Sequence, residues 1–158
     1  MIDVFATWVN FILQQEGGFT DDPNDPGGPT NFGLIASDGI DPHTVTRDQA
    51  IAVYRTKYWT ATKADQLPPA VAIVYADAAV NQGAFAAAKM LQQAAGVTVD
   101  GNVGPATINA AIRANPHDLS QELTARRLVR YATTAHFDHF GLGWMRRAVA
   151  ALTLSSTL

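Results

Sequence analysis

The chain has 158 residues, 47% of them hydrophobic and 16% charged, and contains no cysteine. That composition is ordinary for a globular protein and the length suffices for one domain with a real core. The missing cysteines exclude a disulfide scaffold, a thiolate metal site and a cysteine nucleophile. The net charge of −3 is unevenly spread. Residues 1–79 carry four Lys/Arg against ten Asp/Glu, and residues 80–158 carry seven against four. The basic surplus of a nucleic-acid enzyme is absent. An acidic half beside a mildly basic half suits work on an anionic polymer.

In chain order, Phe5, Trp8, Val9, Ile12 and Leu13 recur at helical spacing, which predicts a helix over 2–15 ended by Gly17-Gly18. Asp3 and the lack of Lys or Arg there argue against a secretion signal. Residues 17–31 then crowd three prolines, four glycines and three aspartates into one loop, with a short β-hairpin predicted between Phe19 and Ile35. Thr46-Arg-Asp-Gln49 reads as a capping box opening a second helix that runs to Trp59. Pro68-Pro69 starts a helix through Asn81, stopped by Gly83. An alanine-rich helix follows over 84–95 and stops at Gly96. Further helices are predicted over 105–114, 117–135 and 143–153. The final AVAALTLSSTL is eleven residues long, too short for a membrane span, and reads as a terminal core helix. The expectation is a mainly α, single domain over 1–158, whose halves 1–83 and 84–158 share one core.

The chemistry points to the end of the first helix. Glu16 sits on its last turn, where the partial negative charge of the helix terminus disfavours an ionised carboxylate. Trp8 and Phe19 are candidates to remove water from it. A carboxylic acid that keeps its proton is what glycoside hydrolysis needs to protonate the leaving oxygen. Asp22 and Asp25 each precede a proline, which holds both on extended backbone. Either one supplies the second carboxylate of such a pair, or serves as a turn cap. Thr30 is a candidate to hold the attacking water.

The run Glu16-Gly-Gly-Phe-Thr-Asp-Asp-Pro-Asn-Asp-Pro-Gly-Gly-Pro-Thr30-Asn-Phe-Gly33 resembles the signature of glycoside hydrolase family 108, lysozyme-like N-acetylmuramidases of phage endolysins and bacterial lytic proteins. The family's E-G-G glutamate falls on Glu16, and its D-P-G-G-x-T pattern on Asp25 through Thr30. The stretch also resembles the Glu–Asp–Thr triad of phage-type lysozymes. The eight residues between Glu16 and Asp25 match that triad; the four between Asp25 and Thr30 are one fewer than usual there. Tyr58-Trp59 with Asp65–Pro68, the block Asp77–Gly83, and Gly143-Trp144 with Arg146 and Arg147 are similar to later family blocks. Leu91–Thr107 resembles a peptidoglycan-binding segment, with Asp100-Gly101 in a turn.

The resemblance implies a lysozyme-like fold and a muramidase with Glu16, Asp25 and Thr30 as catalytic residues. Asp22, Tyr58, Trp59 and Asn81 are then expected to contact substrate. It implies peptidoglycan glycan strands as partner, no nucleic acid or nucleotide, no cofactor or metal, and a monomer. The protein is expected to be made in a host cytoplasm and to reach the cell wall through a holin, another export route or an anchor past Leu158. Two other readings are a non-catalytic peptidoglycan-binding module and a metal-dependent wall amidase. For the latter, His136-Phe-Asp-His139 has a suitable spacing, but no H-E-x-x-H accompanies it.

Overall fold

The computed structural model describes residues 2–21 and 28–158. Seven α-helices dominate them: α1 (Val4–Glu16), α2 (Arg47–Val53), α3 (Pro69–Gln82), α4 (Ala84–Ala94), α5 (Pro105–Arg113), α6 (Pro116–Ala132) and α7 (Phe137–Ser155). The protein is mainly helical, as its periodicity predicts. The chain divides into two compact units, one ending at Lys57 and one beginning at Tyr58. Among the described residues no helix is long and apolar enough to cross a membrane.

In the first unit, Asp3 caps α1 by accepting the Ala6 N–H at 3.0 Å. Phe5, Trp8, Val9 and Ile12 form the buried face of α1, at the i, i+3, i+4, i+7 positions that share one side of a helix. Trp8 is fully buried and meets the Tyr54 ring edge-on at 6.0 Å, a favoured aromatic geometry. The Arg55 guanidinium lies 3.7 Å over the ring of Phe5.

The capping box that opens α2 forms in both directions: Gln49 N–H donates to Thr46 Oγ1 at 3.3 Å and Thr46 N–H to Gln49 Oε1 at 2.8 Å. The helix does not continue as α to Trp59. It widens into a π-helical stretch over Tyr54–Thr60. Here Thr56 Oγ1 donates to the carbonyls of Ala52 and Val53, a local competitor for the helix's own acceptors. The two buried aromatics of this stretch, Tyr54 and Trp59, are five positions apart. That is the hydrogen-bonding interval of a π-turn, whereas an α-helix turns such residues about 140° away from each other.

The predicted β-hairpin is corrected. Among the described residues between Phe19 and Ile35 there are two isolated antiparallel bridges, Thr20 to Thr30 and Asn31 to Leu34, and no strand. Pro29 has no N–H to extend a ladder from Thr30, and the chain reverses again immediately at Asn31–Leu34.

The second unit is organised by α3, whose residues Ala70–Ala79 are all buried. A helix apolar on every side belongs inside, and α3 packs against α4, α6 and α7. Pro69 starts it, and Gly83 at φ +86° releases the chain into α4. The amide of Gln92, itself buried, ties down the loop after α4: Nε2 donates to Asp100 Oδ1 and to the Asn102 carbonyl, and Oε1 accepts the Gly101 N–H. Helix α6 stops at Ala132 rather than 135, because the hydroxyls of Thr133 and Thr134 both donate to the Arg130 carbonyl. Helix α7 begins at Phe137, six residues before the predicted start. Inside α7, Gly141 gives room to the Phe137 ring, which a Cβ at Gly141 would meet at 2.5 Å.

Candidate active site

Helix α1 delivers Glu16 on its final turn, half-buried, and Gly17 at φ +71° takes the chain out of the helix at once. The wall against which Glu16 rests is a two-residue reversal at Phe32-Gly33. Asn31 N–H donates to the Leu34 carbonyl at 3.0 Å and Leu34 N–H to the Asn31 carbonyl at 2.9 Å. Both central residues have positive φ, +53° at Phe32 and +73° at Gly33, which is the type I′ requirement.

Glycine is needed twice at position 33. It occupies the left-handed region without strain, and it leaves space for the acid. A Cβ there would lie 2.6 Å from Glu16 Cγ and 2.7 Å from Glu16 Oε2. The turn is held from the other end. The Tyr54 hydroxyl donates to the Phe32 carbonyl at 2.8 Å, and the Asn31 side-chain amide donates to the Pro42 carbonyl at 3.0 Å. Since Tyr54 also packs on Trp8 of α1, one closed circuit of contacts runs from the helix that carries Glu16, through Tyr54 and Phe32, back to Glu16 by way of Gly33.

Thr30 is half-buried and is fixed by its backbone, which exchanges two hydrogen bonds with Thr20 at 2.8 and 2.9 Å. It stands three residues before Gly33 in the same loop. Asp22 and Asp25 lie outside the described residues. Phe19 is half-exposed and packs on the His43 ring at 5.1 Å; Trp8 is fully buried in the helix face. The roles of Phe32, Gly33 and Tyr54 escape the sequence reading. The first two stand inside the signature as ordinary motif residues. Tyr54 gives no signal because its bond to Phe32 spans 22 positions.

The other substrate candidates belong to the second unit. Tyr58 is half-buried and Trp59 is 5% exposed. Asn81 is exposed, and its amide donates to the Asp77 carbonyl at 3.2 Å. It lines a hollow of about 250 Å³ together with Arg130, Tyr131 and Trp144. Beneath lies a charged knot that joins Asp77 and Arg147, each in a family-like block, to Arg127, which no motif announces. Asp77 is fully buried on α3, and each of its carboxylate oxygens takes one arginine: Arg127 Nη2 of α6 at 2.6 Å and Arg147 Nε of α7 at 2.9 Å. Tyr131 sits beside this knot, its hydroxyl raised above the ordinary phenol range, first by burial, and its ring stacked on Trp144 at 5.4 Å. Among the described residues no three His, Asp or Glu side chains gather as a metal site would require.

Two family models match the chain. Residues 9–83 match the glycosyl hydrolase 108 family, and residues 86–149 match a family described as a predicted peptidoglycan domain. The chain is similar to a solved structure, SagA of Brucella abortus, with 30% sequence identity and a TM-score of 0.88. The likeness covers 97% of this chain and 94% of that one. No curated protein sequence matches the chain.

Proposed function

The chain belongs to the glycosyl hydrolase 108 family, and from that premise we propose that it is a muramidase. It hydrolyses the β-1,4 bond between N-acetylmuramic acid and N-acetylglucosamine in peptidoglycan, with Glu16 as general acid. The observation that carries this reading is the seat of Glu16. A single carboxylic acid at a helix end is pressed against a glycine turn that no side chain could share. That is how a proton donor is held in one geometry.

In this mechanism Glu16 gives its proton to the glycosidic oxygen as the bond to the anomeric carbon breaks. Asp25 takes a proton from a water that attacks from the opposite face, and the Thr30 hydroxyl orients that water. The product is inverted at the anomeric carbon, which requires the two carboxyl groups to stand about 6.5–9.5 Å apart. Asp22 is the reserve second carboxylate and otherwise a substrate contact, and Tyr58, Trp59 and Asn81 are substrate contacts as well. A fold of the lysozyme type, a monomeric state and delivery to the wall through a holin or another export route belong to the same proposal.

A second reading, a module that binds peptidoglycan without cutting it, draws on the match over residues 86–149. Purified sacculi separate the two. The muramidase releases fragments with new reducing muramic acid ends, and NMR shows the inverted α anomer first. Asp25→Asn abolishes release while Asp22→Asn weakens it. No reducing ends, or anhydro-muramic products, overturn the proposal; a β anomer at first appearance removes the water-activating role of Asp25.

A further inference from the structure

Two hollows of the second unit differ in chemistry and share one residue. The larger, about 640 Å³, lies between α4 and α6, within the volume range of ligand sites. Its floor is Met90, its apolar walls are Phe85 and Val129, and Lys89, Arg126 and Arg130 stand at it. Glu122 is the one carboxylate among its lining residues, and it is already bound to Arg126 at 2.6 Å. Lys89 is poised 4.6 Å over the Phe85 ring. The smaller hollow, about 250 Å³, offers amides, a hydroxyl and aromatic rings: Asn81, Gln82, Thr134, Tyr131 and Trp144.

Arg130 lines both hollows. It is exposed, and among the described residues no carboxylate pairs with it. An apolar groove with a net surplus of cations suits a short chain of small methyl-bearing residues interrupted by free carboxylates. Amides, a hydroxyl and a ring beside it suit an N-acetylated sugar. One molecule carries both chemistries at adjacent atoms, the muramic acid sugar with its peptide stem.

We propose that these hollows form a muramyl-peptide site: the sugar in the smaller hollow, the peptide stem along the α4–α6 groove, and a stem carboxylate on Arg130. This rests on the reading of peptidoglycan as substrate and adds to it that the second unit reads the stem, separately from the bond that Glu16 cuts. The protein then prefers wall material whose stems are intact.

The test uses the full chain and two soluble ligands. One is GlcNAc–MurNAc bearing the tetrapeptide L-Ala–D-Glu–diaminopimelate–D-Ala, and the other is the same disaccharide without its stem. The expected result is that the stem-bearing ligand binds roughly tenfold tighter or more, and that this preference fades as salt is raised. Arg130→Gln removes the preference without moving the unfolding midpoint. Val129→Glu, which sets a carboxylate in the same groove, does likewise and keeps the test decisive if the first variant fails to fold. Equal affinity for the two ligands overturns the site, as does a preference that survives in the folded variants. Reducing-end release from whole sacculi is read in the same preparations. Release without stem preference overturns the stem site and leaves the glycosidase reading standing; stem preference without release does the reverse.

Discussion

The two units are held together by different physics. In the second, order comes from burial: ten consecutive residues of α3 are out of solvent, and the one charge among them, Asp77, is answered by two arginines from two other helices. In the first, beyond the apolar face of α1, order comes from single contacts. These are a tyrosine hydroxyl on a carbonyl, an asparagine amide on another, and a glycine against a glutamate. The difference teaches where each unit is vulnerable. A change in the second unit costs stability first. A change at the Phe32-Gly33 turn costs geometry first, since the turn positions the acid more than it supports the core.

The largest stability effect should follow from Asp77→Asn. It leaves the fully buried Arg127 without its counter-charge, a loss that costs about 3–5 kcal/mol in comparable buried pairs. Chemical denaturation should show it as a lowered midpoint. A drop under about 1 kcal/mol would mean that the knot behaves like a surface ion pair and would erase the contrast between the units. Gly33→Ala should cost less stability, about 1–2 kcal/mol for an alanine held at positive φ. It should nevertheless reduce turnover more than that loss explains, because the new methyl displaces the Glu16 carboxyl. Activity measured per folded molecule checks it, and an alanine variant with unaltered activity would detach the turn from the site.

The smallest effect concerns pH. The Asn102 N–H and then the Gln92 amide hold the exposed Asp100 carboxyl below its usual range. Its contribution to stability is therefore fully present above the unfolded carboxylate range, near 3.8, and is lost as pH falls through the lower folded value. Asp100→Asn should flatten the acid limb of the stability curve, lowering stability slightly at neutral pH and leaving it unchanged in strong acid.

The helices of both units were largely legible in the sequence because each carries its own punctuation. Thr46 and Gln49 box one start, Pro69 and Pro105 open two helices, and Gly83 and Gly96 follow the ends of α3 and α4. The sequence misleads where one residue type serves two ends. The last helix starts at Phe137 rather than 143, and Gly141 inside it is a space for the Phe137 ring. Thr133 and Thr134 look like helix and end one. The loop between Phe19 and Ile35 looks like a hairpin, but among its described residues Pro29 and an immediate second reversal leave two isolated bridges. Within the candidate site, Glu16 was legible from its place before Gly17-Gly18 and from the signature around it. Tyr54, Gly33 and the Asp77 knot were not, because their meaning lies in contacts 17 to 70 positions away along the chain. No local pattern encodes such contacts.

Glu16→Gln tests most directly whether Glu16 donates the proton that breaks the glycosidic bond. Glutamine keeps the length of the side chain and its seat against Gly33 while removing the transferable proton. Reducing-end release from purified sacculi should fall by roughly 10²–10⁴, with the unfolding midpoint unmoved. A Glu16→Gln protein that releases ends at near the wild-type rate would contradict the account.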